Sequence, residues 1–524
     1  FPNAPLRIAA HAPEHQTALR KLLDEAREIS DSGGGLEFPS ERVQVLARPG
    51  LGLVQCLRDM FAEDPTGNPK AQATRDSGDA RGAPESIALC YGWYALLDAD
   101  VTGAILADHT RYLAHITYSE NVPAGFAPDF VSRDFIAALP EPLPPELTNN
   151  VPSKSGDLRA FAFKNIDRFD VEIFYLAPDL RQHRLDLTAT TERSTRILTA
   201  IREARADLPF AELAALLKSH PQIVRPYPSY FEVELSSRFV QEDFRPLTTP
   251  PPIDAAPRTA GEHFLSRELL EKLKADLAAN ALNEDVTVSL GGHGEPCLHP
   301  GFVDVVRDFL KLPVVKNVII ETYGVGLDAA LLESLFAVPR RERLILIVRL
   351  DSLRPARYAE LYGADRCADA LAFLAACEGA LRRAGAEPAP AIYAEMRRLA
   401  ETEDELAAFM DRFEDPEQPI RPLLQKYNRY IDRLPERRAA DLTPLTRDFC
   451  WHLARDFYLT VDGRVPICKQ DPYGENSATL NFSENTVAEI VARTMPYHAA
   501  SLRGEHETIP MPCPGCDEWY TFNG

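Results

Sequence analysis

The stretch VSLGGHGEPCLHPGFVDVV, residues 288–306, decides the fold. An apolar, strand-forming run stops at two glycines, passes through Gly-Glu-Pro and gives way to a helical pattern. A strand that turns this sharply into a helix is half of a parallel βα unit. The same alternation extends in both directions. Upstream stand the strand YFEVELS and the helix FLSRELLEKLKADLAA. Downstream come NVIIETYG, a helix, RLILIVRLDS, a helix, AIYAEMRR and a helix. Strands are expected to begin near Phe231, Val286, Val318, Leu344 and Ala391 and to run parallel, in an open or barrel-like sheet. Their C-terminal ends are expected to face one cleft, where loops of such folds build sites.

Composition narrows the function. A net charge of −21 argues against a nucleic-acid partner or an anionic membrane surface, since both need a basic footprint. No apolar stretch approaches the roughly 18 residues of a membrane span. The first residues, FPNAPLRIAAHAPEHQ, lack the basic start and apolar run of a secretory signal. Nine scattered cysteines fit a reducing cytoplasm better than a disulfide framework. A cytoplasmic location is expected.

Punctuation divides the chain into four regions. Residues 1–150 read as mixed α/β: a helix HQTALRKLLDEAREI, a glycine run, a polar insertion over 64–86, then a strand and helix through WYALLDADVTGAILADHTRYLA. Residues 151–225 form a connecting α/β region, 226–435 the parallel sheet, and 436–524 a cysteine-bearing C-terminal region. Cys450 and Cys468 flank FYLTVDGRVPI, read as strand-turn-strand, while Cys513 and Cys516 stand in PCPGC. Two separated pairs of soft thiolates can surround one metal centre, either an iron–sulfur cluster or tetrahedral zinc.

Residues 288–306 resemble the S-adenosylmethionine-binding motif of the radical SAM superfamily, with Gly292, Gly294, Glu295 and Pro296 in the Gly-Gly-Glu-Pro positions. IIETYGVGL resembles the third-strand Thr-Asn-Gly element, keeping Thr322 and Gly324 with Tyr323 in place of Asn. IVRLDSLRPARYAELYG resembles the fourth-strand element and contributes Asp351 and Ser352. The resemblance implies a partial (β/α) barrel in which Gly292, Gly294, Glu295, Thr322, Asp351 and Ser352 hold the cofactor, the last four lining the cleft. CWHLARDFYLTVDGRVPICKQD and the late Cys-x-x-Cys resemble a SPASM domain, an auxiliary cluster-binding extension of radical SAM maturases. A full domain of that kind carries seven cysteines, so the four here imply a shortened one with a single 4Fe-4S cluster, zinc being the alternative. LLQKYNRYIDRLPERRAADLTPLTRDFCWHL and the whole arrangement are similar to the spirochaete-associated spiro-SPASM group, which implies a peptide or protein partner.

The resemblance breaks at the loop after the first strand. Radical SAM enzymes bind their catalytic cluster through Cys-x-x-x-Cys-x-x-Cys, and here that spacing falls on Phe239, Asp243 and Pro246. Phenylalanine and proline carry no ligand atom, and aspartate is a hard donor. Radical generation is therefore expected to be lost, and S-adenosylmethionine binding to be weak. Cys297 is expected to pack. The segment WYALLDADVTGAILADHTRYLAHITYSENVPAG resembles the strand end of GT-A-like nucleotidyltransferases, with Asp98 and Asp100 at the Mg²⁺ position. His293, His299, His452 and Asp471 are further candidates, the last as support for a cluster ligand. Three functions follow: a pseudoenzyme binding a peptide or protein partner, an active radical SAM enzyme with unusual ligation, or a nucleotidyltransferase with a C-terminal appendage.

Overall fold

The computed structural model describes residues 6–10, 43–47, 54–55, 57–58, 86–90, 94–144, 147, 156–239, 244, 246, 249–250, 263–385, 387–414, 418–476 and 478–521. The chain forms two compact units, Phe1–Leu213 and Ala214–Gly524. The second unit is built on seven parallel strands: β1 (Tyr230–Glu234), β2 (Val286–Gly291), β3 (Val315–Thr322), β4 (Leu344–Arg349), β5 (Ala391–Arg398), β6 (Ile420–Lys426) and β7 (Asp456–Leu459). Their order across the sheet is β6-β5-β4-β3-β2-β1-β7, a partial (β/α) barrel.

Helices Arg267–Asn280, Phe302–Lys311, Ala329–Phe336, Pro355–Tyr362 and Cys367–Ala384 cover one face of this sheet. Because side chains alternate along a strand, Phe231, Val233, Val288, Leu290, Val318, Ile320, Leu346, Val348, Ile392 and Ala394 all enter the core beneath those helices. The intervening residues face the barrel interior. Their apolar part is Tyr230, Ile319 and Ile347, joined by Tyr393 and Leu423.

Two features depart from the sequence reading. Strand β6 was not expected; it is an edge strand carrying Pro422, which no central strand would accept. The strand-turn-strand read around Asp462-Gly463 is divided between two sheets. Its turn exists, with Gly463 at φ 82° and Thr460 N donating to Arg464 O over 2.9 Å. Its first strand, β7, joins the main sheet beside β1, whereas Arg464–Val465 pairs antiparallel with Leu480–Asn481.

The first unit holds a four-stranded mixed sheet in the order Ser86–Leu89, Asp129–Ser132, Ile116–Ser119, Val171–Phe174, and a two-stranded parallel pair, Leu6–Ala10 with Val43–Ala47. Helices Ala99–Arg111 and Glu192–Ala204 lie where the sequence predicted them. The expected helix over 15–29 and the polar insertion over 64–86 fall almost wholly outside the described residues.

Candidate functional site

The Gly-Gly-His-Gly-Glu turn after β2 is pressed against the loop that follows β1. Glu295 N donates to Arg238 O over 2.7 Å, and an added Cβ on Gly294 would stand 2.2 Å from Ser236 O. Gly292, at φ 92°, packs on the Glu234 side chain. These glycines are required by the protein's own backbone. Gly294→Ala is expected to destabilise the second unit by about 1–3 kcal/mol, read as a lower denaturation midpoint; an unchanged midpoint would show that the loop gives way.

Glu295 is fully buried and its carboxylate is occupied. Thr322 Oγ1 donates to both carboxylate oxygens over 2.9 Å, Tyr323 N donates over 3.0 Å, and Cys297 N over 3.2 Å. Burial pushes its pKa up against those donors. Asp351, at φ 54°, accepts from Arg397 N (2.8 Å), Arg397 Nε (3.1 Å) and the Tyr362 hydroxyl (2.6 Å). Ser352 Oγ donates to Glu405 over 2.9 Å. Gly292 borders the barrel cavity, whereas Glu295, Thr322, Asp351 and Ser352 are absent from its wall and sit in closed networks. Strand alternation explains Thr322: Glu321, one residue earlier, faces the interior, so Thr322 faces the helices.

The loop after β1 is aromatic where a catalytic cluster would need thiolates. Phe239 packs against Phe244 and Tyr323 at 6.0 and 5.8 Å, and Phe244 stacks on Tyr362 at 5.2 Å with 8° between the rings. Pro246 offers no donor, and Asp243 lies outside the described residues. Among the described residues, this loop does not fit a catalytic cluster.

Four thiols meet elsewhere. Cys450, Cys468, Cys513 and Cys516 line one small cavity, together with Arg447, His452, Lys469 and Glu518. Cys450 caps the short helix Trp451–Arg455 instead of standing in a hairpin. The Cys-Pro-Gly-Cys turn is closed by Cys516 N donating to Cys513 O (3.2 Å) and anchored by Arg447, whose guanidinium donates to Cys513 O and Pro514 O (2.8 and 3.1 Å). Glu518 N donates to Cys516 Sγ over 3.3 Å. Burial pushes the Cys450 and Cys513 thiols up to about 11 and about 12. Cys468 is pushed well above its ordinary value by burial and then by the charges of the other three. Ionising all four thiols together needs a cation among them. Among the described residues no group of three or more His, Cys, Asp and Glu side chains is gathered to hold a single metal ion. Zinc demands four bonds of about 2.3 Å to one atom, whereas a cluster gives each thiolate its own iron and spaces the sulfurs more widely. Four thiolate donors suit either an iron–sulfur cluster or tetrahedral zinc.

The other candidates are structural. His452 shares Nδ1 with Asp456 (2.6 Å) and Nε2 with Thr521 (3.4 Å). Asp471 accepts from Glu475 N, Asn476 N and Asn476 Nδ2, fixing the loop after Cys468. His299 engages Leu265 O and Gly301 N; His293 packs on Tyr430 and Tyr473 at the cavity wall. In the first unit Asp98 caps helix Ala99–Arg111 through Oδ1 and accepts from Phe210 N through Oδ2, and Asp100 lies in that helix's first turn.

The sequence reading missed a second site. The barrel interior encloses a cavity of about 620 Å³, within the range of ligand pockets. A chain of ions crosses it. Arg349 pairs with Glu321, which also accepts from Ser289 Oγ over 3.1 Å, and with Glu395 at 3.6 Å; Lys469 stands 3.7 Å from Glu232. Glu518 pairs with Lys426 at 2.8 Å. Lys469 and Glu518 border both cavities, so each thiol-bearing segment supplies one wall residue to the barrel interior. A readable signal existed: charges at interior positions of strands otherwise apolar on both faces.

No family model matches the chain. An uncharacterized protein of Treponema pallidum (strain Nichols) is 28% identical over 365 residues, which is 68% of this chain and 96% of that protein. Among solved structures, similar ones include BtrN in complex with AdoMet and 2-DOIA (15% identity, TM-score 0.34, 57% of this chain and 93% of that one). Streptococcus suis SuiB bound to precursor peptide SuiA is 14% identical, with TM-score 0.40 over 53% of this chain and 67% of that one. Native anSMEcpe with bound AdoMet is 12% identical, with TM-score 0.38 over 52% of this chain and 84% of that one. All three TM-scores lie under 0.5, so the functional reading rests on this chain's own residues. Among the described residues no helix is long and apolar enough to cross a membrane.

Proposed function

We propose that this chain is a radical SAM/SPASM-type protein of the spiro-SPASM kind that has lost radical chemistry. In this reading Cys450, Cys468, Cys513 and Cys516 hold one auxiliary 4Fe-4S cluster, and the barrel interior serves as a ligand site beside it. The observation that carries it is the meeting of four thiols from two separated segments around one cavity. Such a cluster, when bound, supplies a cross-link between the segments and a one-electron couple. The chain's own residues do the rest: Arg447 fixes the Cys-Pro-Gly-Cys turn, and Lys469 and Glu518 carry the thiol segments' charge into the cavity.

Loss of radical chemistry is supported by the aromatic packing of Phe239 and Phe244 and by the commitment of Glu295, Asp351 and Ser352 to protein partners. A peptide or protein partner belongs to the proposal through the family resemblance, as does a cytoplasmic location, which suits reduced thiols. The N-terminal unit enters it as a GT-A-like scaffold, because Asp98 is occupied as a helix cap. Anaerobically reconstituted protein is expected to carry about four irons and four sulfides per chain and to release no 5′-deoxyadenosine from S-adenosylmethionine under strong reduction. About eight irons per chain, with cofactor turnover, would overturn the loss of catalysis; zinc alone would overturn the cluster.

A further inference from the structure

The pairing of charges in the barrel cavity is unequal. Each lining arginine on the β5 side has a carboxylate of its own: Arg397 holds Asp351, Arg398 holds Glu403, and Arg438 holds Glu436 and Asp517. Lys426 has Glu518. The carboxylates are less well served. Glu321 takes the Arg349 guanidinium and the Ser289 hydroxyl. Glu395 is almost wholly buried, and its carboxylate is left with the flank of that same guanidinium at 3.6 Å and receives no hydrogen bond from a described residue. Glu232 faces Lys469 at 3.7 Å, likewise without a hydrogen bond.

One further polar group on the wall lacks a partner. Tyr427, on the cavity wall just after β6, is 1% exposed, and its hydroxyl has no hydrogen-bond partner. A buried carboxylate without a hydrogen bond and a buried phenol with no partner each cost free energy until a polar partner arrives. Burial accordingly pushes the Glu395 carboxyl up even though Arg349 and Arg397 pull it down. The cavity's floor is apolar, made by Tyr230, Ile319, Ile347 and Leu423.

We infer that the barrel cavity binds an organic ammonium: a primary amine on an apolar body, its charged nitrogen seated on Glu395 and its body on the apolar floor. An anion is disfavoured because Arg397, Arg398, Arg438 and Lys426 each already hold a carboxylate at hydrogen-bonding distance. A bare metal ion is disfavoured because the Arg349 guanidinium stands between Glu321 and Glu395 and pairs with both. This inference rests on the reading of the cavity as the ligand site.

Binding of pentylammonium, pentanoate and pentanol to the full metal-loaded chain by titration calorimetry tests it, since the three probes share a body and differ in charge. Pentylammonium is expected to bind most tightly. Glu395→Gln should weaken it by about ten- to a hundredfold, the worth of a charge-assisted hydrogen bond. Glu232→Gln, opposite Lys469, should weaken it far less. Preference for pentanoate would overturn the ammonium assignment while leaving a ligand site. Failure of all three probes to bind would remove the ligand site itself. The ranking of the probes on the unsubstituted chain decides the matter even where Glu395→Gln does not fold. Iron content, measured on the same samples, reports separately on the thiol centre.

Discussion

Changing Cys468 to Ser is expected to reduce bound iron from about four per chain to less than about one. Cys468 lines the cavity with the other three thiols and feels the charge of each. Serine's oxygen is a hard donor and a poor ligand for a soft cluster. Removing it also leaves three buried thiols whose ionisation burial opposes. Because metal binding to such a set is coupled to folding, the loss should appear as a lowered thermal midpoint as well as in the iron assay. Cys377→Ala serves as the control: its thiol is buried in the core far from the quartet's cavity, and iron should be retained. Full iron content in the Cys468 variant, or equal loss in the control, would show that the quartet is not the metal centre.

The second large effect concerns Arg397. Arg397 and Asp351 are both under one-tenth exposed and form a doubly hydrogen-bonded pair, completed by Tyr362, whose hydroxyl accepts from Arg397 Nη2 over 3.0 Å and donates to Asp351 over 2.6 Å. Arg397→Leu leaves Asp351 as an uncompensated buried charge, at a cost of about 3–5 kcal/mol. Denaturant unfolding followed by circular dichroism reads this directly. Adding Asp351→Leu to the Arg397 variant should recover part of the loss, since the stranded charge is gone. Recovery should be incomplete, because Asp351 also holds a left-handed backbone position that leucine resists. Strictly additive losses in the double variant would mean that the two residues act independently.

The parallel sheet was legible because strands buried on both faces must be apolar throughout, and VTVSL, NVII and LILIV are. Strand starts at Val286, Leu344 and Ala391 agree with expectation, and those of β1 and β3 fall one and three residues earlier than expected. Strand β6 escaped notice because an edge strand bearing Arg421 and Pro422 has neither an apolar run nor alternation. The allegiance of β7 was invisible locally: its neighbour in sequence is a turn, and its partner β1 is distant in the chain. The site shows a similar division. The spacing of Cys513 and Cys516 named a tight turn whatever the fold. The motif residues at strand ends drew attention away from Glu232, Glu321, Arg349 and Glu395, one position off in phase. Asp98 illustrates a limit of residue-type reasoning, since a carboxylate at the start of a helix serves a cation or the helix's own N–H groups equally well.

Strand β7 and the residues Lys469 and Glu518 reach back to finish a barrel whose other six strands lie between residues 230 and 426. The ribosome supplies these pieces after all the others, so the sheet waits for them with β1 as a bare edge and with Glu232 and Lys426 lacking their counterions. A fragment ended at residue 435, where the sequence alone suggested a border, would be released in that unfinished state. It would aggregate rather than fold as a smaller barrel. For expression, trimming or fusion, the piece to keep together is residues 214–524, which form one compact unit.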